Sequence, residues 1–358
     1  MIEIKGIKSH RHLIFKTGFF TAVILLAALV CACSSKTVSD SPATQTRYDL
    51  LNTVITISIY DDVNDDVFNE VFDRISGIEK AMSVTLADSE ISGAAAMAAK
   101  SPVVLSEETY LVVKEAYDIT VESGGAFNLA IGPLVKLWGI TTASPRVPGR
   151  AELEHVKELL DYNAVVLSDT DRSVYLTFEG MSIDLGAIAK GYAGDVAAEV
   201  IKSYGVKHAI VDLGGNIITI GGRPDGSAWR IGVRNPIIGE SGYIGVISVQ
   251  DKSVVTSGSY ERYFESGGHY YHHIFDEKTG YPADTGLLSV TIISDRSTDA
   301  DKLSTVVFVL GLRDGLEFLK NYKDAEAIFI TNGLEIYMTP GIIDSFAVTD
   351  NRFIIASE

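Results

Sequence analysis

Three groups of residues in this chain have the types and spacing for chemistry. The first is Asp184-Leu-Gly-Ala-Ile-Ala-Lys-Gly-Tyr192, where a carboxylate and an ammonium flank small residues as a strand gives way to a helix. Free N–H groups at a helix N-terminus favour an anion, small residues let backbone approach it, and Lys190 adds a point charge, so this stretch suits a phosphate. Taken alone, it equally describes a capped helix start with a surface ion pair. The second is Thr298-Asp-Ala-Asp-Lys-Leu-Ser-Thr305. Asp301 and Thr305 stand four apart and share one face of a helix that is otherwise apolar at Val306, Val307, Val309 and Leu310. They offer hard oxygens suited to Mg²⁺, which keeps water and phosphate in its other positions. A capping Asp and a Thr bonded to its own backbone is the plainer alternative. The third is Tyr270-Tyr-His-His-Ile-Phe-Asp-Glu-Lys-Thr-Gly-Tyr-Pro282, preceded by Thr256-Ser-Gly-Ser-Tyr-Glu-Arg262. No further ligands stand at a usual zinc spacing from His272 and His273, so one histidine acting in proton transfer beside a phosphate is the more economical reading.

These groups need elements to hold them. Alternating β-branched residues predict a strand over 51–60, and helical spacing predicts a helix over 65–82. Ser106 opens a helix that runs to Ser123 and stops at Gly124-Gly125, and another short helix covers 152–160. Strands over 164–167 and 174–178 form a hairpin-like pair. A turn at Gly180 then leads to a helix over 187–204. Further strands are expected over 208–212, 217–220, 229–233, 243–249, 253–256, 289–293 and 327–331, and a helix with a Thr or Ser cap around Thr298 reaches Leu310 and stops at Gly311. Adjacent strands joined by short turns favour an α+β fold with mixed, largely antiparallel sheets and packed helices over a doubly wound sheet.

The chain has 358 residues, is 46% apolar and carries a formal charge of -17. Lys5, Lys8, Arg11 and Lys16 precede an uncharged run over 17–32, the pattern of a secretory signal. Val30-Cys-Ala-Cys-Ser-Ser35 resembles a bacterial lipoprotein box, which makes Cys33 the expected lipidated residue and 1–33 a signal segment; an ordinary cleaved signal or an N-terminal anchor helix is the plainer alternative. The expectation is therefore an exported protein anchored to a membrane through Cys33, with a polar tether over 34–47 and one catalytic body over 48–358. Beyond Cys33 there is no cysteine, so neither a disulfide framework nor a cysteine metal site is available. The acidic balance argues against nucleic acid and against adhesion to anionic lipid; an anionic ligand needs local help from backbone N–H groups, a lysine or a metal ion.

Taken together, the motifs resemble the FAD:protein FMN transferases, the ApbE-type flavin transferases, over residues 48–330. The matching stretches are Ser89-Glu-Ile-Ser92, Gly124-Gly-Ala-Phe-Asn128, Gly132-Pro-Leu-Val-Lys-Leu-Trp-Gly139, Asp184 to Tyr192, Val211-Asp-Leu-Gly-Gly-Asn216, Thr256-Ser-Gly258, Tyr271-His-His-Ile274 with Thr279-Gly-Tyr-Pro282, and Asp301 to Thr305. The resemblance implies FAD as substrate, Mg²⁺ as cofactor, and transfer of FMN to a Thr or Ser hydroxyl of an exported acceptor protein, such as a subunit of a membrane redox complex, with release of AMP. It implies FAD contacts at Leu51, Ala126, Phe127, Asn128, Asp184, Lys190 and Ile274. It further implies Mg²⁺ held by Asp301, Thr305 and the Ala187 carbonyl with Ser304 nearby, and proton transfer by His273 with His272 as its structural neighbour.

The departures are equally specific. Leu51 falls where the family usually has Met, Gly93-Ala94-Ala95 where an Asn is common, Asn128 where Asp is usual, Glu277 where Pro is usual and Lys302 where Ala is usual. The missing Asn bears on flavin retention and water exclusion, and so keeps FAD hydrolysis to FMN and AMP as a rival. A flavin-binding lipoprotein without chemistry is the rival from another class, although a carrier has no need of Asp301 and Thr305.

Overall fold

The structure is a computed structural model that describes residues 41–356. The signal segment, Cys33 and the first part of the tether lie outside the described residues. The ordered body begins earlier than the polar composition suggests: Ala43–Leu50 is a strand paired antiparallel with Thr53–Ile59, so residues 43–47 belong to the sheet rather than to a tether. Thr44 and Thr46 meet Ser58 and Thr56 across this pair. Polar side chains on a solvated edge strand are what concealed it from a reading based on apolar alternation.

A nine-stranded sheet forms the centre. In spatial order its strands are Ala43–Leu50, Thr53–Ile59, Ala209–Leu213, Asn216–Ile220, Ser253–Gly258, Leu287–Ser294, Ala325–Thr331, Glu335–Met338 and Ile354–Ile355. Every neighbouring pair is antiparallel except the last. The helices Asp66–Met82, Ala189–Ser203 and Ser297–Leu319 cover one face. A three-stranded sheet of Phe346–Val348, Tyr243–Val249 and Trp229–Arg234 covers the other. The expected α+β class, with largely antiparallel sheets, is therefore the observed one.

Alternate residues of the central strands serve the two faces. Val255, Val290, Ile292, Ala327 and Phe329 join the core under the helices, while Val254, Ile293, Ile328 and Ile330 join the core under the small sheet. Strands covered on both faces read as continuous apolar runs, which is why they were legible in the sequence. A separate cluster surrounds fully buried Trp138 with Leu134, Leu153, Val156 and Phe275. Its indole N–H donates to the Gly280 carbonyl at 2.9 Å, tying helix Gly132–Trp138 to the turn after His273.

Several boundaries moved for local reasons. Leu51 is not in a strand: Leu51 and Asn52, with φ of 53° each, make the two-residue turn of the first hairpin. Two left-handed residues match the twist of a hairpin, at a cost of about 1–2 kcal/mol for a branched residue such as leucine. The Glu79 carboxylate, accepting from the Leu51 N–H at 2.9 Å, helps hold it there. Helix Glu107–Glu122 starts where expected, with the Ser106 hydroxyl accepting from Thr109 N–H. Helix Ser297–Leu319 does not stop at Gly311; that residue leaves helical geometry with φ 77° and ψ 179°, and the chain then resumes a helical path.

Thr298 is not the cap of that helix either. The helix begins at Ser297, and its first amides are capped from another helix: Asp195 accepts from Ser297 N–H at 2.6 Å, from Thr298 N–H at 2.9 Å and from the Thr298 hydroxyl at 2.5 Å. A cap supplied across a tertiary contact leaves no local signature. Asp195→Ala is expected to lower stability by about 2–4 kcal/mol, because it strands two N–H groups and a hydroxyl in a buried contact, with Asp195→Asn milder. Urea unfolding is the check, and a loss below about 0.5 kcal/mol, the size of an ordinary surface change, would contradict the capping role.

Candidate functional site

The site lies where helices Ala189–Ser203 and Ser297–Leu319 cross beside the ends of the central strands. Gly191 makes the crossing possible: a Cβ there would stand 2.4 Å from the Ser297 carbonyl oxygen and 2.7 Å from Asp301 Cβ. That closeness brings the Asp301 carboxylate, 4% exposed, onto the start of the first helix. Its Oδ2 accepts from Gly191 N–H at 2.8 Å, and its Oδ1 faces Lys190 Nζ at 3.2 Å. Asp301 is therefore a cap and an ion-pair partner at once. The structure joins two groups that stood 111 residues apart in the sequence.

Thr305, half-buried, follows Asp301 by one helical turn, and Ala187 lies in the turn that leads into helix Ala189–Ser203. Ser304 is fully buried beneath them: its hydroxyl donates to the Asp301 carbonyl at 2.8 Å and shares a 2.7 Å hydrogen bond with Ser257. Those bonds make Ser304 a support of the helix beside Asp301. Among the described residues no group of three or more His, Cys, Asp or Glu could hold a metal ion. A cation here would depend on Asp301 with neutral oxygens, a hard donor set that suits Mg²⁺.

Asp184 folds back to accept from Gly186 N–H at 2.7 Å, and its own N–H donates to the Leu129 carbonyl at 2.9 Å. Burial pushes its carboxyl up, against the pull of Gly186 N–H and Arg262. The bond to Leu129 joins the Asp184 loop to the expected flavin-side segment. There Phe127 and Asn128 are buried and Ala126 is half-buried. The Phe127 ring belongs to the main core, as does the Ile274 side chain, so what either offers a ligand is chiefly backbone. Leu51 sits at the tip of the first hairpin, whose second strand runs beside Ala209–Leu213 and its Gly214-Gly215 turn.

The two histidines separate cleanly. The His272 ring is buried against Phe308; its Nε2 lies 3.1 Å from the Ala283 carbonyl, and Ile274 N–H donates to its Nδ1 at 3.3 Å. Those partners fix the Nε2–H tautomer and use both nitrogens. His273 keeps a buried Nδ1 without a protein partner. Burial pushes its pKa down to about 3, with the positive charges of Arg262 and Lys190 and the neighbouring His272 ring acting the same way, so the ring is neutral. A neutral imidazole with a free nitrogen is competent as a proton acceptor.

Sequence reasoning gave no role to several residues gathered here. Asn216 accepts from Lys190 Nζ at 3.4 Å and keeps its own buried Nδ2 unpartnered. Asp212, pushed up by burial, accepts from Gly215 N–H at 2.8 Å. Glu261 is exposed, within electrostatic reach of Lys190, Arg262 and Arg234. The stretches 211–216 and 256–262 carried the signal, but only the tertiary contacts single out the side chains. Lys302, one of the departures, points away to Asp299 at 2.7 Å and Glu115 at 3.3 Å. Ala95, the departure that bears on water exclusion, lines a cavity of about 800 Å³ with Met181, Ser182, Leu159 and His155.

Comparison with known proteins supplies the rest. The model of the ApbE family matches residues 51–329. A FAD:protein FMN transferase of Treponema pallidum is 38% identical over 300 residues, covering 80% of this chain and 83% of its own length. Another from Klebsiella pneumoniae is 37% identical over 290 residues, covering 81% and 90%. The crystal structure of the ApbE protein of Thermotoga maritima superposes with a TM-score of 0.75 at 33% identity, over 82% of this chain and 95% of that one. Flavin transferase ApbE from Vibrio cholerae gives 0.72 at 26% identity, over 86% and 97%. With a family match over most of its length and an α+β fold shared with solved members, this chain belongs to the ApbE family.

Proposed function

We propose that this protein transfers FMN from FAD to a Ser or Thr hydroxyl of an exported acceptor protein and releases AMP. The observation that carries the proposal is the neutral His273, whose buried Nδ1 has no partner and whose ring feels the charge of Lys190, the residue paired with Asp301. The names of the Treponema and Klebsiella relatives support the same reaction.

In this reading His273 takes the proton of the acceptor hydroxyl as its oxygen attacks the FMN-side phosphorus. A new P–O bond forms on the acceptor, the pyrophosphate P–O bond breaks, and AMP departs. Lys190, which can exchange Asp301 for phosphate, binds the pyrophosphate together with the N–H groups that open helix Ala189–Ser203. Asp184 and the segment carrying Ala126, Phe127 and Asn128 orient the flavin side, with Leu51 and Ile274 completing its surroundings. Asp301, Thr305 and the Ala187 carbonyl are the residues to hold Mg²⁺, which when bound neutralises pyrophosphate charge. Transfer of this kind needs mainly positioning and electrostatics, which a rigid helix crossing supplies. The export signal and lipid attachment at Cys33 belong to the same proposal and place the reaction on the acceptor's side of a membrane.

Incubation with FAD, Mg²⁺ and an acceptor, read by mass, is expected to show FMN as a phosphoester in proportion to AMP. Equal AMP release with free FMN, acceptor present or absent, would instead establish a hydrolase.

Asp301→Asn retains an acceptor for Gly191 N–H yet loses the charge, so the Mg²⁺ needed for half-maximal turnover should rise at least 10- to 100-fold while the unfolding midpoint stays close to wild type. An unchanged Mg²⁺ requirement removes Asp301 from the metal site. Lys190→Ala should weaken FAD binding roughly tenfold or more, read by flavin fluorescence, and full affinity would refute its phosphate role.

Since His273 is already neutral at neutral pH, kcat/KM should show no inflection near the ordinary histidine value of about 6.5. His273→Gln should lower kcat by roughly 10²–10⁴ with little change in FAD affinity. A wild-type profile that falls with an apparent pKa near 6.5 would argue against this buried base.

A further inference from the structure

Among the contacts that the reaction leaves unused, one joins the flavin-side segment to the hairpin that follows His273. The Asn128 amide is fully engaged. Its Oδ1 accepts from Ala130 N–H at 2.7 Å, and its Nδ2 donates to the Leu160 carbonyl at 2.8 Å and to the Glu277 carboxylate. The Ala130 N–H and the Leu160 carbonyl together fix which way the amide points, so a donor must face Glu277. Glu277 lies flat over Gly125, where a Cβ would stand 2.0 Å from Oε1. Its turn is held by Gly280 N–H bonded to the Asp276 carbonyl at 2.9 Å and Lys278 N–H bonded to the Asp276 side chain at 2.9 Å.

The strands of that hairpin, Phe275–Asp276 and Tyr281–Pro282, begin two residues after His273. The contact therefore spans 149 residues and ties the flavin-side segment to the hairpin that follows His273. Its geometry is selective. A carboxylate at position 128 would turn two acceptors, the Leu160 carbonyl and the Glu277 carboxylate, against a third in a half-buried place.

We propose that Asn128 and Glu277 form a matched clasp that fixes the flavin-side wall at a set distance from His273, with Glu277 as a positioning residue for flavin transfer. The inference rests on the transferase reading for the identity of the ligand, while the pairing itself rests on the contact.

The test is a double-mutant cycle in the full-length protein, with FAD affinity read by flavin fluorescence and kcat read by AMP release. N128D should weaken FAD binding roughly 10- to 100-fold and lower kcat, because it sets carboxylate against carboxylate. E277Q keeps an acceptor for Asn128 and should lose less than about threefold in either quantity. N128D/E277Q reverses donor and acceptor across the clasp and should regain at least about tenfold of what N128D lost, a coupling that independent sites do not show. Additive effects in the cycle, or N128D with near-wild-type FAD affinity and kcat, would overturn the clasp. If N128D does not fold, E277A in a folded protein carries the test: a tenfold or larger loss of FAD affinity supports the clasp, and wild-type affinity overturns it. A wild-type protein that binds no FAD would overturn the flavin reading and the positioning role with it, and the coupling in the unfolding midpoints of the same variants would then decide the pairing alone.

Discussion

Two helices that cap one another hold this protein's site together. Asp195 of helix Ala189–Ser203 accepts from the first two amides of helix Ser297–Leu319, and Asp301 of that second helix accepts from the Gly191 amide near the start of the first. Each helix has orphan N–H groups at its start, and each finds its acceptor on the partner. A single cap contributes about 1 kcal/mol, but reciprocal caps also fix register and crossing point, because neither carboxylate can slide without stranding amides in a buried interface. Gly191 is the steric condition for the arrangement, since any side chain there would collide with the Ser297 carbonyl.

The chemistry follows from that crossing. With Oδ2 of Asp301 committed to Gly191, Oδ1 is aimed at Lys190, and the ammonium is held where the opening N–H groups of the helix also point. A buried carboxylate needs a cation, and one of these two helix starts meets that need with Lys190 in the structure and, in the proposed reaction, with Mg²⁺. The same burial that strengthens the pair keeps His273 neutral, because a charged ring beside Arg262 and Lys190 would be repelled and poorly solvated.

Outside the crossing, the flavin-side wall is stabilised by a chain of contacts rather than by one. Leu129 accepts from Asp184 N–H while its own N–H donates to Thr120, so the segment after Gly125 is fastened both to the Asp184 loop and to helix Glu107–Glu122. Trp138 secures the far side by its bond to Gly280. The cavity beside Ala95 adjoins Ser182, two residues before Asp184, and so leaves space along a wall that is otherwise tightly tied.

The sequence by itself determined the class of fold and the types of chemistry. Strands covered on both faces had to be continuously apolar, so Leu287–Ser294 and Ala325–Thr331 announced themselves, and Ser106 marked a helix start that the structure keeps. Asp301 with Thr305, Lys190 near a helix start and the pair His272-His273 stood out because residue type and local spacing carry those signals. Only the tertiary structure decided what each residue does for its neighbours. The edge strand Ala43–Leu50 has a polar composition and exists through pairing; the helix at Ser297 starts where a distant Asp195 caps it; the Ser304 hydroxyl is bonded to the Asp301 carbonyl and to Ser257. Nothing local distinguishes His272 from His273, yet one ring has both nitrogens bonded and the other keeps one free. Hydrogen-bond partners that lie more than a hundred residues away leave no periodicity in the chain, and in this protein it is such partners that turn suitable residues into a site.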